Sequence, residues 1–161
     1  MPAYADILEG NAAAAIEPYR QMFEMDRSNP MARLFYAYVL ALNGRKDELK
    51  PLVDGFAPEV RNTIAARVSF FLAHAVAGDE QRARDALMPE IEAVATATDL
   101  FPRFLADGFA SLGDSDAALH WLNVAVDRGF TNVEYLSRHD PFLAKLRGDS
   151  RFAALMRKAS R

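Results

Sequence analysis

The 161-residue chain contains no cysteine, which removes disulfide frameworks, thiolate metal sites and cysteine-nucleophile chemistry together. Histidine is scarce: His74, His120 and His139 fall in different predicted helices or turns, and no two stand at the i, i+4 spacing that puts paired ligands on one helical face. The eight glycines are all isolated from one another, so phosphate-cradling loops, nucleophile elbows and dinucleotide fingerprints are missing. No apolar run approaches the roughly 20 residues needed to cross a bilayer, and Met1-Pro2-Ala3-Tyr4-Ala5-Asp6 lacks the basic start and apolar run of a secretory leader. These absences lead us to expect a soluble, cytoplasmic protein with no catalytic residues, no metal site and no cofactor.

Apolar residues make up 51% of the chain and charged residues 25%, enough apolar material to build a core and too much for a wholly disordered chain. The net charge of −3 is spread unevenly: from Arg138 onward seven basic residues face two acidic ones, so this tail carries +5 and the first 137 residues carry −8. An acidic body argues against general nucleic-acid binding. The tail's charges, distributed over two predicted helices, read as a solvated face rather than a nucleic-acid or membrane patch.

Against this background a period stands out. Gly10-Asn11, Gly44-Arg45, Gly78-Asp79 and Gly113-Asp114 recur at spacings of 34, 34 and 35 residues, each closing one apolar stretch and preceding another. Glycine supplies the left-handed conformation that ends a helix without steric cost, so each marks a turn between paired helices. The first helices are expected at 3–9, 31–43, 61–77 and 100–112, and the second at 12–26, 46–56, 80–97 and 115–128. Strand-like alternation is scarce, and the alanine content favours helix. Pro18, Pro51 and Pro89 fall inside predicted second helices, where each should bend or restart the helix.

Seven places before each turn glycine stand Ala3, Ala37, Phe71 and Ala106; five after stand Ala15, Leu49, Ala83 and Ala118; nine after stand Tyr19, Val53, Leu87 and Leu122. This register of small and apolar residues resembles that of tetratricopeptide repeats, most closely over Phe109–Phe130. Phe71 and Leu49 depart from it, as do Arg33, Arg67 and Pro102 at the usual tryptophan position. The resemblance implies an all-α fold: a right-handed superhelical array of about four antiparallel helix pairs in one domain, with repeats near 1–29, 30–63, 64–98 and 99–132 and a closing segment at 133–161. The first unit is short, so we expect either the C-terminal part of a longer protein or a shortened first helix.

In the closing segment, Asp140 before Pro141 signals a short helix, and Asp149 or Ser150 a final one whose apolar face holds Phe152, Leu155 and Met156. Phe142, Leu146, Phe152 and Leu155 can cap the exposed end of a repeat array. Asp-Pro-Phe and Leu-Arg followed by Arg-Phe at this spacing resemble the segment that closes tetratricopeptide regions in many bacterial signalling proteins. That likeness implies a regulatory module in a larger chain.

In such arrays the first helices line a concave groove, here through Leu34, Tyr38 and Leu42, then Val68, Leu72 and Val76, then Arg103, Asp107 and Ser111. We take Leu34, Tyr38, Leu42, Leu72, Arg103 and Asp107 as candidate partner-binding residues, with Tyr38 and Leu72 as anchors and Arg103 orienting a carboxylate. The alternative is that these helices, apolar nearly all round, are buried on several sides by the chain itself. The lysine, asparagine and arginine set with which relatives clamp chaperone tails is missing. The expected function is a protein-interaction or regulatory scaffold with a protein or peptide partner. A second reading is a homodimer formed over apolar surface near Tyr4, Ile7 and Leu8, and a third is a pocket for a small effector.

Overall fold

The computed structural model describes residues 2–161, and every regular element among them is helical. In chain order these are α1 (Pro2–Leu8), α2 (Ile16–Met25), α3 (Pro30–Leu42), α4 (Lys46–Asp54), α5 (Ile64–Val76), α6 (Glu80–Ala86), α7 (Pro89–Ala95), α8 (Leu100–Leu112), α9 (Ser115–Asp127) and α10 (Ser150–Ala159). A 3-10 turn at Ala12–Ala15 leads into α2, and another lies at Pro58–Val60. A π turn at Tyr135–His139 and a 3-10 turn at Phe142–Leu146 connect α9 to α10. None of the described helices is long and apolar enough to cross a membrane.

The four periodic glycines all take the left-handed conformation, with φ between 68° and 85°. Each closes its helix with the same pair of hydrogen bonds. At Gly113, its own N–H donates to Ala110 O at 3.1 Å and the next N–H, of Asp114, donates to Phe109 O at 3.0 Å. The same pattern recurs at Gly10, Gly44 and Gly78, and it satisfies carbonyls that a helix end otherwise leaves free. At two of these turns the following aspartate starts the next helix: Asp79 accepts from Arg82 N at 3.1 Å and Asp114 from Ala117 N at 3.0 Å.

The helices pack in pairs across these turns, α3 with α4, α5 with α6 and α8 with α9, while α3, α5 and α8 lie side by side. The core runs along these three inner helices. The expected small-residue positions are buried throughout, including Ala37, Ala83, Ala106 and Ala118. Phe71, the departure from that register, is accommodated by its neighbour. Gly108 on α8 lies beneath its ring, where a Cβ would come within 2.2 Å of Cε1, and Phe109 packs at a centroid distance of 4.9 Å. Arg33, at the usual tryptophan position, places its guanidinium 4.8 Å from the Phe23 ring centroid and 5.1 Å from that of Phe56, and donates to Leu52 O.

Some expected boundaries shift. The helix expected over 80–97 is two helices, because Pro89 cannot donate to the preceding turn and restarts the chain as α7. Leu87, in the break, is half-buried rather than buried. Pro51 stays inside α4, and Pro18 lies in the first turn of α2, where no helical bond is lost. The helix expected over 61–77 starts at Ile64 behind its cap Thr63, with Asn62 and Arg61 still in the preceding turn. The segment after Asp140 forms a 3-10 turn. Of the expected cap, Leu146, Phe152 and Leu155 are buried and Phe142 is half-buried, and Leu143, not foreseen, is buried beside them.

Candidate functional site

All six candidate groove residues, Leu34, Tyr38, Leu42, Leu72, Arg103 and Asp107, are buried. The surface they would offer a partner is filled by the chain itself, which is the alternative set against the groove above. The filling comes from both ends of the sequence. Tyr135, Leu136, Asp140 and Leu143 of the closing segment are buried, the turn Phe142–Leu146 packs on α8, and α1 reaches Arg103 of α8 through Tyr4.

At the centre lies a polar cluster inside an otherwise apolar core. Tyr38 donates to Asp107 Oδ2 at 2.8 Å, and its hydroxyl is 3.2 Å from that of Tyr135. Arg103 donates from Nη1 to Tyr4 Oη at 3.0 Å, and its guanidinium lies within 4.9 to 5.7 Å of the ring centroids of Tyr4, Tyr38, Phe104, Phe130 and Tyr135. Aromatic faces partly replace the water that the buried cation has lost. Burial also pushes the Tyr38 and Tyr135 phenols well above their ordinary range, so both keep their protons.

Asp107 and Asp140 are fully buried and lie close enough to interact through their side chains. Asp107 Oδ1 and Asp140 Oδ2 find no donor in the chain. Two ionised carboxylates can only accept, so a hydrogen bond between them would require a proton on one. Burial raises both above the usual carboxylate range, Asp107 the more strongly, with Asp140 adding to its rise. Burial and the missing donors favour one shared proton on the pair, which would leave one negative charge beside Arg103. Asp140 also keeps the role read from the sequence: its Oδ1 accepts from Phe142 N at 3.0 Å.

Sequence reasoning placed Arg103 and Asp107 together but missed Tyr4, Tyr135 and Asp140 as their partners. One signal was present: an arginine and an aspartate four residues apart on the apolar stretch Leu100–Leu112, where neither charge can remain alone.

The other expected surfaces are also largely used within the molecule. Of the apolar patch expected for a dimer, Ile7 is buried and Leu8 half-buried, while Tyr4, bonded to Arg103 through its hydroxyl, stays 36% exposed. In the basic tail, Arg151 pairs with Asp116 and Asp149, Lys158 with Asp127, Arg138 with Glu134, and Arg147 donates to Asp140 O. His139 lies against Gly10, and His120 meets Trp121 edge-on at 5.2 Å. No group of three or more metal-ligating side chains occurs among the described residues.

Larger open space lies over α5, beside smaller pockets between α1 and the closing segment and between α9 and α10. Two adjoining cavities share Phe70, His74 and Arg82 over α5: one of about 450 Å³ between α4 and α6, and one of about 520 Å³ between the turn at 58–62 and α6. His74 is half-buried there, and desolvation lowers its pKa, favouring the neutral ring. Comparisons with protein-family models, with curated proteins and with solved structures found no match to the chain.

Proposed function

We propose that the chain is a tetratricopeptide-like array of helix pairs, capped by Tyr135–Ala159, that acts as a protein-interaction or regulatory scaffold. The repeat reading is supported by one turn geometry recurring at Gly10, Gly44, Gly78 and Gly113, and by the side-by-side packing of α3, α5 and α8. The right-handed superhelix and the place in a larger signalling chain belong to the same proposal. The observation that carries the function is the outer cleft over α5: a cavity of about 450 Å³ with an apolar floor stays open where the inner surface is packed shut.

A scaffold of this kind binds without large rearrangement, since its inner helices share one continuous core. The test is affinity capture from native lysate with chemical cross-linking, followed by mapping of the cross-linked positions. The expected result is a reproducible protein partner cross-linked to α4, α5 or α6. A chain that captures nothing and sediments as a monomer at every concentration would overturn the scaffold reading; a concentration-dependent mass without a partner would favour self-association instead.

A further inference from the structure

The two halves of the outer cleft differ in chemistry. The first half is floored by Phe70, Ala73, Val76 and Ala77 of α5 and the chain just after it, and its charges balance: Lys46, Lys50 and Arg82 face Asp47, Asp54 and Asp79. The second half is lined by Arg61, Arg67 and the shared His74 and Arg82 against one carboxylate, Asp85. Asp85 already accepts from Gln81. A cluster of three guanidinium groups is unexpected on a body whose first 137 residues carry −8.

Nor are these guanidinium groups fully spent within the chain. Arg82 is held only by a 3.6 Å contact to Asp79, with its side chain 70% exposed. Arg67 gives Nη2 to Asn62, but its Nε is buried without an acceptor. Arg61 uses Nε and Nη2 on the Phe56 and Asp54 carbonyls, which fixes its planar head at the rim. Arg61 and Arg67, fixed or half-shielded in this way, are pre-organised to meet carboxylates, and Arg82 adds an exposed positive charge beside them.

We infer that the cleft over α5, walled by α4 and the turn at 58–62 on one side and by α6 on the other, is a docking site for an amphipathic acidic segment of a protein partner. Its apolar side chains would lie over Phe70 and Ala73, and its carboxylates would meet Arg61, Arg67 and Arg82. The inference rests on the scaffold reading and adds to it the surface and the chemistry of the partner. An apolar floor continuous with a cationic end suits a helix or extended segment that changes from apolar to acidic along its length. A nucleic-acid strand would leave the apolar half unoccupied.

The test is selection of peptides from a random display library against the intact protein, followed by affinity measurement on the enriched sequences. Enrichment of sequences combining apolar and acidic positions is expected. Their affinity should fall about tenfold or more with Arg82→Glu, which reverses an exposed charge, and similarly with Ala77→Glu, which puts a carboxylate at the edge of the apolar half. It should weaken as salt rises and be unchanged by Lys158→Glu on α10. Melting curves of all three variants check that the fold is intact. Enriched peptides that ignore both cleft variants would overturn the docking site while leaving the scaffold reading standing. Failure to enrich any peptide would count against both. A labelled single-stranded oligonucleotide that binds the intact protein and loses affinity with Arg82→Glu, in the absence of peptide binders, would overturn the inference in favour of nucleic acid.

Discussion

Asp107 on α8 and Asp140 in the closing segment are fully buried beside Arg103, and burial raises both carboxyls above their usual range. Because both acids titrate above their usual 3.8, the native state binds a proton there that the unfolded chain releases. Their contribution to stability is therefore full below about pH 4 and declines as pH rises through the raised native value. One proton corresponds to a slope of about 1.4 kcal/mol per pH unit within that window. Other groups, such as Asp114, titrate in the opposite sense, so the pair is isolated by difference. Asp140→Asn keeps an oxygen for the Phe142 N–H and offers an amide donor to Asp107. Urea melts across pH 4 to 8 should show the wild-type protein losing stability relative to this variant as pH rises. Parallel curves would refute the shared proton.

Arg103 is expected to be the least replaceable side chain of the cluster. Arg103→Met keeps much of the alkyl volume but leaves Asp107 and Asp140 without a counter-charge. Breaking a buried charge pair from one side costs about 3 to 5 kcal/mol. Tyr4→Phe, by contrast, removes only the acceptor of one Arg103 hydrogen bond, about 1 to 2 kcal/mol. Hydrogen exchange separates the two: Tyr4→Phe should raise exchange in α1 alone, whereas Arg103→Met should raise it in the closing segment and α8 as well.

How much of this could be read from the sequence depends on the range of the interaction. The turn glycines, the cap Asp149 and the small residues Ala37 and Ala106 were legible because each acts within a helical turn or at a fixed register. The fate of the inner surface was not. Its decisive hydrogen bonds join residues 69, 97 and 99 positions apart, and an apolar helix face looks the same whether a partner or the chain itself covers it. The outer cleft escaped notice for a related reason. Its arginines come from the turn before α5, from α5 itself and from α6, so no local motif unites them.

Gly78 provides a check on the repeat turns. Its φ is 77° and nothing lies within 4 Å of where a Cβ would stand, so a side chain there meets backbone strain without a clash. Gly78→Ala should destabilise by about 1 to 2 kcal/mol, and Gly78→Asn by less, because asparagine tolerates the left-handed region better. Thermal melts that rank alanine above asparagine in stability would contradict this account of the turn.

Phe71 and Gly108 should behave as one unit. Alone, Gly108→Ala sets a methyl against the Phe71 ring in a closely packed interior, and such overpacking typically costs about 1 to 3 kcal/mol. Phe71→Ala alone removes a buried ring and costs about 3 to 5 kcal/mol. In the double variant the clash is gone, the new methyl occupies part of the vacated space, and alanine is the better helix former at a mid-helix position by about 1 kcal/mol. Gly108→Ala is thus expected to change sign, destabilising the native protein and stabilising the Phe71→Ala variant. A double-mutant cycle by urea denaturation measures this directly. Additive effects would mean that Gly108 is not there to admit the Phe71 ring, and the large residue in the third unit would need another explanation.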